Sequence, residues 1–239
     1  MALVDAGLAA GALGLLSLGR DRRKAAKLIG LGALLGLTGA ALPAPTRRAR
    51  GVPVLLDIFV PAYEFREFHE TRVNASPERI YEAILGVTAG EIRLFQTLTW
   101  LRNPKLPWGE PQPESILNAP AGRPILEVAT STGFCKLVEA PDAEIVVGMA
   151  VIRPRGTPPI SMPSEFVTER PGFALAAMNF RVEEERDGVC RVTTETRIHA
   201  TDAWSRRRFA AYWRLIYPGS AFIRVQWLRA IRERAERQG

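Results

Sequence analysis

Glu67 and His69, in the stretch FREFHETRV, stand two residues apart, and in an extended chain that spacing puts both on one face. A carboxylate beside an imidazole can act as an acid/base pair, the one orienting the ring while the other moves a proton. The plainer reading is that both lie near a sheet end in water, since one carboxylate and one histidine at this spacing often arise by chance. The chain offers little else of that kind. It contains no Gly-x-Ser-x-Gly elbow, no Walker loop and no His-Glu-x-x-His helix. Its two histidines and two cysteines fall at 69, 199, 135 and 190, without metal-ligand spacing, so neither a metal nor a cofactor is expected. Cys135 and Cys190 read as buried small hydrophobes rather than as a disulfide or a nucleophile.

The formal charge of +7 resembles a nucleic-acid signal until it is divided along the chain. Residues 1–50 carry +6, residues 51–201 carry −5 and residues 202–239 carry +6. Basicity confined to the two ends suits an anionic membrane surface, and aromatics are not interleaved with the bases as single-strand binding requires, so no nucleic acid is expected.

The first 45 residues differ in kind from the rest. ALVDAGLAAGALGLLSLG (2–19) and LIGLGALLGLTGAAL (28–42) are rich in Ala, Gly and Leu and are flanked by RDRRKAAK and TRRAR. Small residues at Gly7/Gly11 and Gly32/Gly36 would let two helices pack closely in lipid, with the basic clusters at the interfaces. The leading expectation is a membrane hairpin over 1–45, with the main domain cytoplasmic. The alternatives are a twin-arginine-like export signal around Arg22 and Arg23, and an Ala-rich helical pair packed on the domain. Residues 46–62, bounded by prolines, read as a linker whose VPVLLDIFVP segment lies at the membrane surface or packs under the domain.

From 63 onward the elements are ordered. Tyr63 to Val73 reads as a strand with Tyr63, Phe65, Glu67, His69, Thr71 and Val73 on one face. Ser76, Pro77 and Glu78 open a helix, and a second helix is expected over about 91–101. RPILEVATSTG leans to helix, FCKLVEAP and EIVVGMAVI to strands, and SEFVTERPG to a short helix. Two long strands follow, joined through Asp187 and Gly188 in a tight primed turn. Ala176, Met178, Phe180 and Val182 then face the same side as Val192, Thr194, Thr196 and Ile198. Asn179, Arg181, Glu195 and Arg197 alternate with them and read as ordinary outer-face residues. The chain ends in a long helix capped by Thr201 or Asp202, with an apolar stripe and a kink or break at Pro218 and Gly219.

That order, carried by HETRVNASPERIYEAI, AAMNFRVEEERDGVCRVTTETRIHATD and RRRFAAYWRLIYPGSAFIRVQWLRAIRERAE, resembles the START/polyketide-cyclase, or SRPBCC, superfamily over residues 63–239. The resemblance implies an α+β helix-grip fold, in which a curved antiparallel sheet wraps a long C-terminal helix. It also implies an apolar cavity between the two for a hydrophobic small molecule or lipid. Its lining would draw Phe65, Met178, Phe180, Thr194 and Thr196 from the strands. The helix would add Tyr212, Trp213, Ile216 and Arg224, with Tyr212, Arg214 and Arg224 at the mouth reading a head group or lying on a solvated face. Trp204, Trp213 and Trp227 read as core. Three functions follow: binding or transfer of a hydrophobic ligand beside a membrane, a cyclase- or hydrolase-like enzyme using His69 and Glu67, and an interaction protein whose cavity is filled.

Overall fold

Alternating residues become strands here wherever a second alternating segment lies within reach to pair with. The computed structural model describes residues 22–41, 44–95, 115–185 and 188–237, together with residues 10 and 97. In chain order the elements are α1 (Arg22–Ala41), β1 (Arg47–Arg48), α2 (Leu56–Phe59), β2 (Ala62–Tyr63), β3 (Phe65–Val73) and α3 (Pro77–Gly86). After a short 3-10 turn at Ile116–Asn118 come α4 (Ile125–Thr132), β4 (Cys135–Ala140), β5 (Glu144–Ile152), α5 (Pro163–Phe166), β6 (Ala174–Glu184), β7 (Cys190–Ala200) and α6 (Ala203–Arg237).

The fold is α+β: one antiparallel sheet in the order β3-β7-β6-β5-β4, with the long α6 packed on strands β3 and β7 and on helix α3, in agreement with a helix grip. Pairing of β6 with β7 sets Ala176, Met178, Phe180 and Val182 opposite Ile198, Thr196, Thr194 and Val192, the register that alternation alone demands. The loop between them is longer than a two-residue primed turn, because the ladder ends at Glu184 and Cys190 and the Glu185 N–H donates to the Val189 carbonyl. Gly188 takes a φ of 73°, which its missing Cβ permits, and Asp187 lies outside the described residues.

Several local expectations change. Ser76 occupies the N-cap of α3 and Pro77 its first position, but the serine side chain makes no capping hydrogen bond. Helix does not begin at Glu91: residues 91–94 form turns and a bend and Leu94 has a φ of 57°, while the last part of the expected second helix, 98–101, lies outside the described residues. α5 spans four residues only. Tyr63 does not share a face with Phe65, because β3 begins after a break at Glu64. Tyr63 joins the cluster of Leu56 and Val60 on the outer face, and Phe65 joins Phe209 and Trp213 on the inner one.

α6 runs 35 residues without a break through Pro218 and Gly219 and is about 52 Å long at the helical rise of 1.5 Å per residue. Asp202 starts it, its carboxylate accepting the Trp204 and Ser205 N–H at 2.8 and 2.9 Å. Two separate apolar clusters hold it down. Phe209, Ala210 and Trp213 pack with Phe65, Ala176 and Ile198, and Trp227, Leu228 and Ile231 pack with Met178, Phe180, Val192 and α3.

Residues 46–62 do not run as a free linker. Leu56 and Val60 are fully buried under the outer face of the sheet with Phe166, Leu175 and Ala177, so this segment packs under the domain. The N-terminal hairpin is not shown. Its second limb lies in helix α1, which touches α6, and its first limb, residue 10 apart, falls outside the described residues. Among the described residues no helix is long and apolar enough to cross a membrane.

Candidate functional site

Both faces of the β3-β7 pair bury charge, and they do so differently. On the inner face, register sets Glu67 opposite Thr196 and His69 opposite Thr194. The reading of Glu67 and His69 as solvated groups at a sheet end is therefore corrected: α6 crosses above them, leaving Glu67 only 2% exposed. His69 Nε2 stands 3.0 Å from Glu67 Oε1, and the Ser220 hydroxyl donates to Glu67 Oε2 at 2.9 Å. Ser220 reaches the sheet because it lies between the two apolar anchors of α6, one turn before Arg224.

Arg224 is the unusual member of this belt. The residue is partly exposed, but Nη1 is shut off from solvent and has no hydrogen-bond partner among the described residues. The guanidinium carbon lies 5.3 Å from the Trp227 ring centroid, and Trp227 Nε1 is likewise buried without a partner. Burial presses the Arg224 guanidinium below its usual pKa range, and the charge of Glu67 opposes that shift. Arg79 Nε, Arg206 Nε and Gln226 Oε1 are also buried without a partner among the described residues, but the Arg224 and Trp227 donors lie side by side, where one acceptor could answer both.

The residues expected to line an apolar cavity divide between the two ends of this belt. Phe65, Trp213 and Ile216 lie at one end, where the Phe65 ring meets Phe209 at 5.0 Å and Trp213 at 6.4 Å. Tyr212 sits on the rim of that group, 38% exposed. Met178 and Phe180 lie at the other end, where Phe180 packs on Trp227 at 4.9 Å. Thr194 is buried and donates to the Asn179 carbonyl at 2.8 Å, and Thr196 is half-buried beside Glu67. The structure thus brings together Glu67, His69, Thr196 and Arg224, whereas the apolar candidates pack mainly on one another. Trp213 and Trp227 are core, as their types suggest, but Trp204 is 58% exposed beneath the Arg208 guanidinium. Cys135 and Cys190 are buried free thiols, and burial raises the pKa of both.

On the outer face, Asn179, Glu195 and Arg197 are buried, which corrects their reading as ordinary outer-face residues. Arg197 donates Nε to Glu195 at 2.7 Å and Nη1 to Asp57 and to the Val60 carbonyl, with its guanidinium carbon 5.1 Å from the Tyr63 ring. Arg66 donates to the same Glu195 at 2.6 Å. Glu144, 4% exposed, accepts from Asn179 Nδ2 and from the N–H groups of Leu55 and Leu56 at the start of α2. Burial alone would raise the Glu195 carboxyl, but the bonds from Arg66 and Arg197 overcome it and hold the pKa low.

Sequence reasoning missed Ser220, the Trp227 indole N–H and the whole outer network. The first two carry no signal beyond their spacing from Arg224, whereas the acid at position 57 in an otherwise apolar VPVLLDIFVP was a usable sign of a buried partner.

No protein-family model matches the chain, and no curated protein matches it. Solved structures do overlap with it loosely. A hypothetical protein, jhp0584, from Helicobacter pylori is 9% identical with a TM-score of 0.38, covering 79% of this chain and 98% of that one. Protein MLL2253 from Mesorhizobium loti is 12% identical at 0.32, covering 73% and 99%. Human STARD10, a START-domain protein, is 6% identical at 0.26, covering 70% and 62%. These overlaps are too loose to carry an argument, and the helix-grip description rests on the sheet order and α6.

Proposed function

We propose that the protein binds an amphipathic small molecule or lipid between the sheet and α6, its acceptor-bearing head on Arg224 and Trp227 Nε1 and its apolar body along the flanking aromatic residues. The observation that carries this is the shielded, unpartnered Nη1 of Arg224. A buried guanidinium without an acceptor is costly, and a ligand carboxylate or phosphate removes that cost with a charge-assisted bond. Glu67, bonded to His69 and Ser220, lies beside Arg224 and disfavours a head with more negative charge than one guanidinium can balance. The +6 carried by residues 1–50 supports a station at an anionic membrane surface, where such amphiphiles reside.

The test is titration of the full chain with oleate and with its neutral methyl ester. Oleate should bind about tenfold or more tightly, as a hydrogen bond to a charged group is worth roughly 1.5–3 kcal/mol, and Arg224→Met should erase the difference. Equal binding of the two, or none of either, leaves the interior as a filled core and sinks the reading.

A second reading is favoured by the 3.0 Å contact of His69 with Glu67: a cyclase- or hydrolase-like reaction in which His69 moves a proton and Glu67 orients the ring. If a turnover is found, its retention in His69→Ala would exclude this assignment.

A further inference from the structure

On the outer face, remote from α6, a cleft of about 690 Å3 opens between β1, the start of α2 and the outward side of β3 and β7. Its floor is electrically closed. Arg66 and Arg197 are matched by Glu195 and Asp57 through the ion pairs already described. Its rim is not. Arg47, Arg48 and Arg50 line the cleft and are exposed, and their side chains make no hydrogen bond or ion pair among the described residues. Three positive charges therefore face one concavity, with no ion pair to balance them among the described residues. β1 holds two of these residues in place by pairing Arg47 with Tyr63 and Arg48 with Ala62, and the Ala49 N–H donates to the Pro61 carbonyl. Val52 and Val54 form an apolar wall at one side.

We propose that this cleft binds a phosphate monoester. Arginine forks fit phosphate oxygens bidentately, and a monoester carries about −1.5 to −2 charges near neutral pH, close to what three unbalanced guanidiniums call for. The volume falls in the range of small-molecule sites, about 300–1,000 Å3. Bases of a nucleic acid are a poor fit, because the one aromatic ring in the lining, Tyr63, is buried and covered by Arg197, leaving no stacking surface. The monoester can belong to a soluble phosphorylated metabolite or to the head of a lipid.

Two probes separate those sources in the full chain: glycerol 3-phosphate by calorimetry, and phosphatidylcholine vesicles doped with phosphatidic acid by flotation. At least one should bind, and the R47A/R48A/R50A variant should bind it about tenfold or more weakly, since each lost contact is a charge-assisted bond. The three side chains are exposed and unpaired, so the unfolding midpoint should not move. The single variants Arg48→Ala and Arg50→Ala, each with a smaller loss, carry the test if the triple variant fails to fold. Binding of glycerol 3-phosphate assigns a soluble ligand and binding of the vesicles alone assigns a lipid head. Failure of both probes, an unchanged affinity in the arginine variants, or equal flotation with phosphatidylserine at matched surface charge overturns the proposal. Arg224→Met should leave this binding intact, which keeps the outcome separate from that of the interior site.

Discussion

The two faces of the β3-β7 pair each bury an arginine, yet Arg197 on the outer face has a carboxylate at either hand and a carbonyl besides, while Arg224 on the inner face has only a tryptophan ring and a carboxylate already bonded to two other groups. A buried cation with a full set of acceptors belongs to the scaffold. One without them is what the proposed ligand head would engage, and the contrast makes the two faces distinguishable by stability measurements alone.

The largest effect is expected at the saturated arginine. Arg197→Met leaves Glu195 and Asp57 without their shared cation, and stripping one partner from such a buried pair costs about 3–5 kcal/mol, read as a lower denaturation midpoint in urea. A loss below about 1 kcal/mol, the usual worth of an exposed pair, would show the outer network to be a surface feature.

Next comes packing on that same face. A Cβ at Gly148 would lie 2.6 Å from the Phe166 ring and 2.7 Å from Leu137, so Gly148→Ala should destabilise by about 1–3 kcal/mol through overpacking. Neutral behaviour would mean that the outer cluster has slack of its own.

A smaller change is expected at the start of α6. Backbone N–H groups of Ser205 and Gly172 hold the Asp202 carboxyl at a pKa of about 2. A depressed carboxyl contributes stability that is complete above its unfolded value near 3.9 and fades as the pH falls toward 2. Asp202→Ala should cost about 1 kcal/mol at neutral pH and flatten the acid limb of the unfolding curve between about pH 4 and 2.

The smallest is the most telling. Arg224→Met should leave the empty protein about as stable as before or slightly more so, because it removes a buried guanidinium whose Nη1 is unbonded while keeping an apolar stem of similar length, and Glu67 keeps its contacts with His69 and Ser220. A loss as large as that of Arg197→Met would erase the distinction between the faces.

Much of this arrangement could be read from residue order. Alternation in AAMNFRVEEER and VCRVTTETRIHA fixed which side chains would meet, and the observed pairs Met178–Thr196 and Phe180–Thr194 are those it requires. Alternation assigns a face but not a depth. Glu67 and His69 were placed on the correct side of β3, and nothing in their spacing told that α6 would cross above them. Asn179, Glu195 and Arg197 read as ordinary outer-face residues because polar residues opposite an apolar row usually face water. What covers them is Leu56 to Val60, a short apolar run whose docking surface forms only once β5, β6 and β7 are side by side. The kink or break expected at Pro218 and Gly219 follows from those two residues alone, whereas the two aromatic anchors on either side of them act on the whole rod and carry the helix through unbroken.

Pro218 still lacks the N–H that every neighbouring residue contributes to the ladder, so the rod has a missing rung within one turn of Ser220 and two of Arg224. Both its ends are clamped, and bending therefore concentrates at that midpoint. A hydrocarbon tail of the proposed ligand would meet the least resistance under α6 beside the polar belt, so that ease of entry and the proposed contact would share a single ring of atoms.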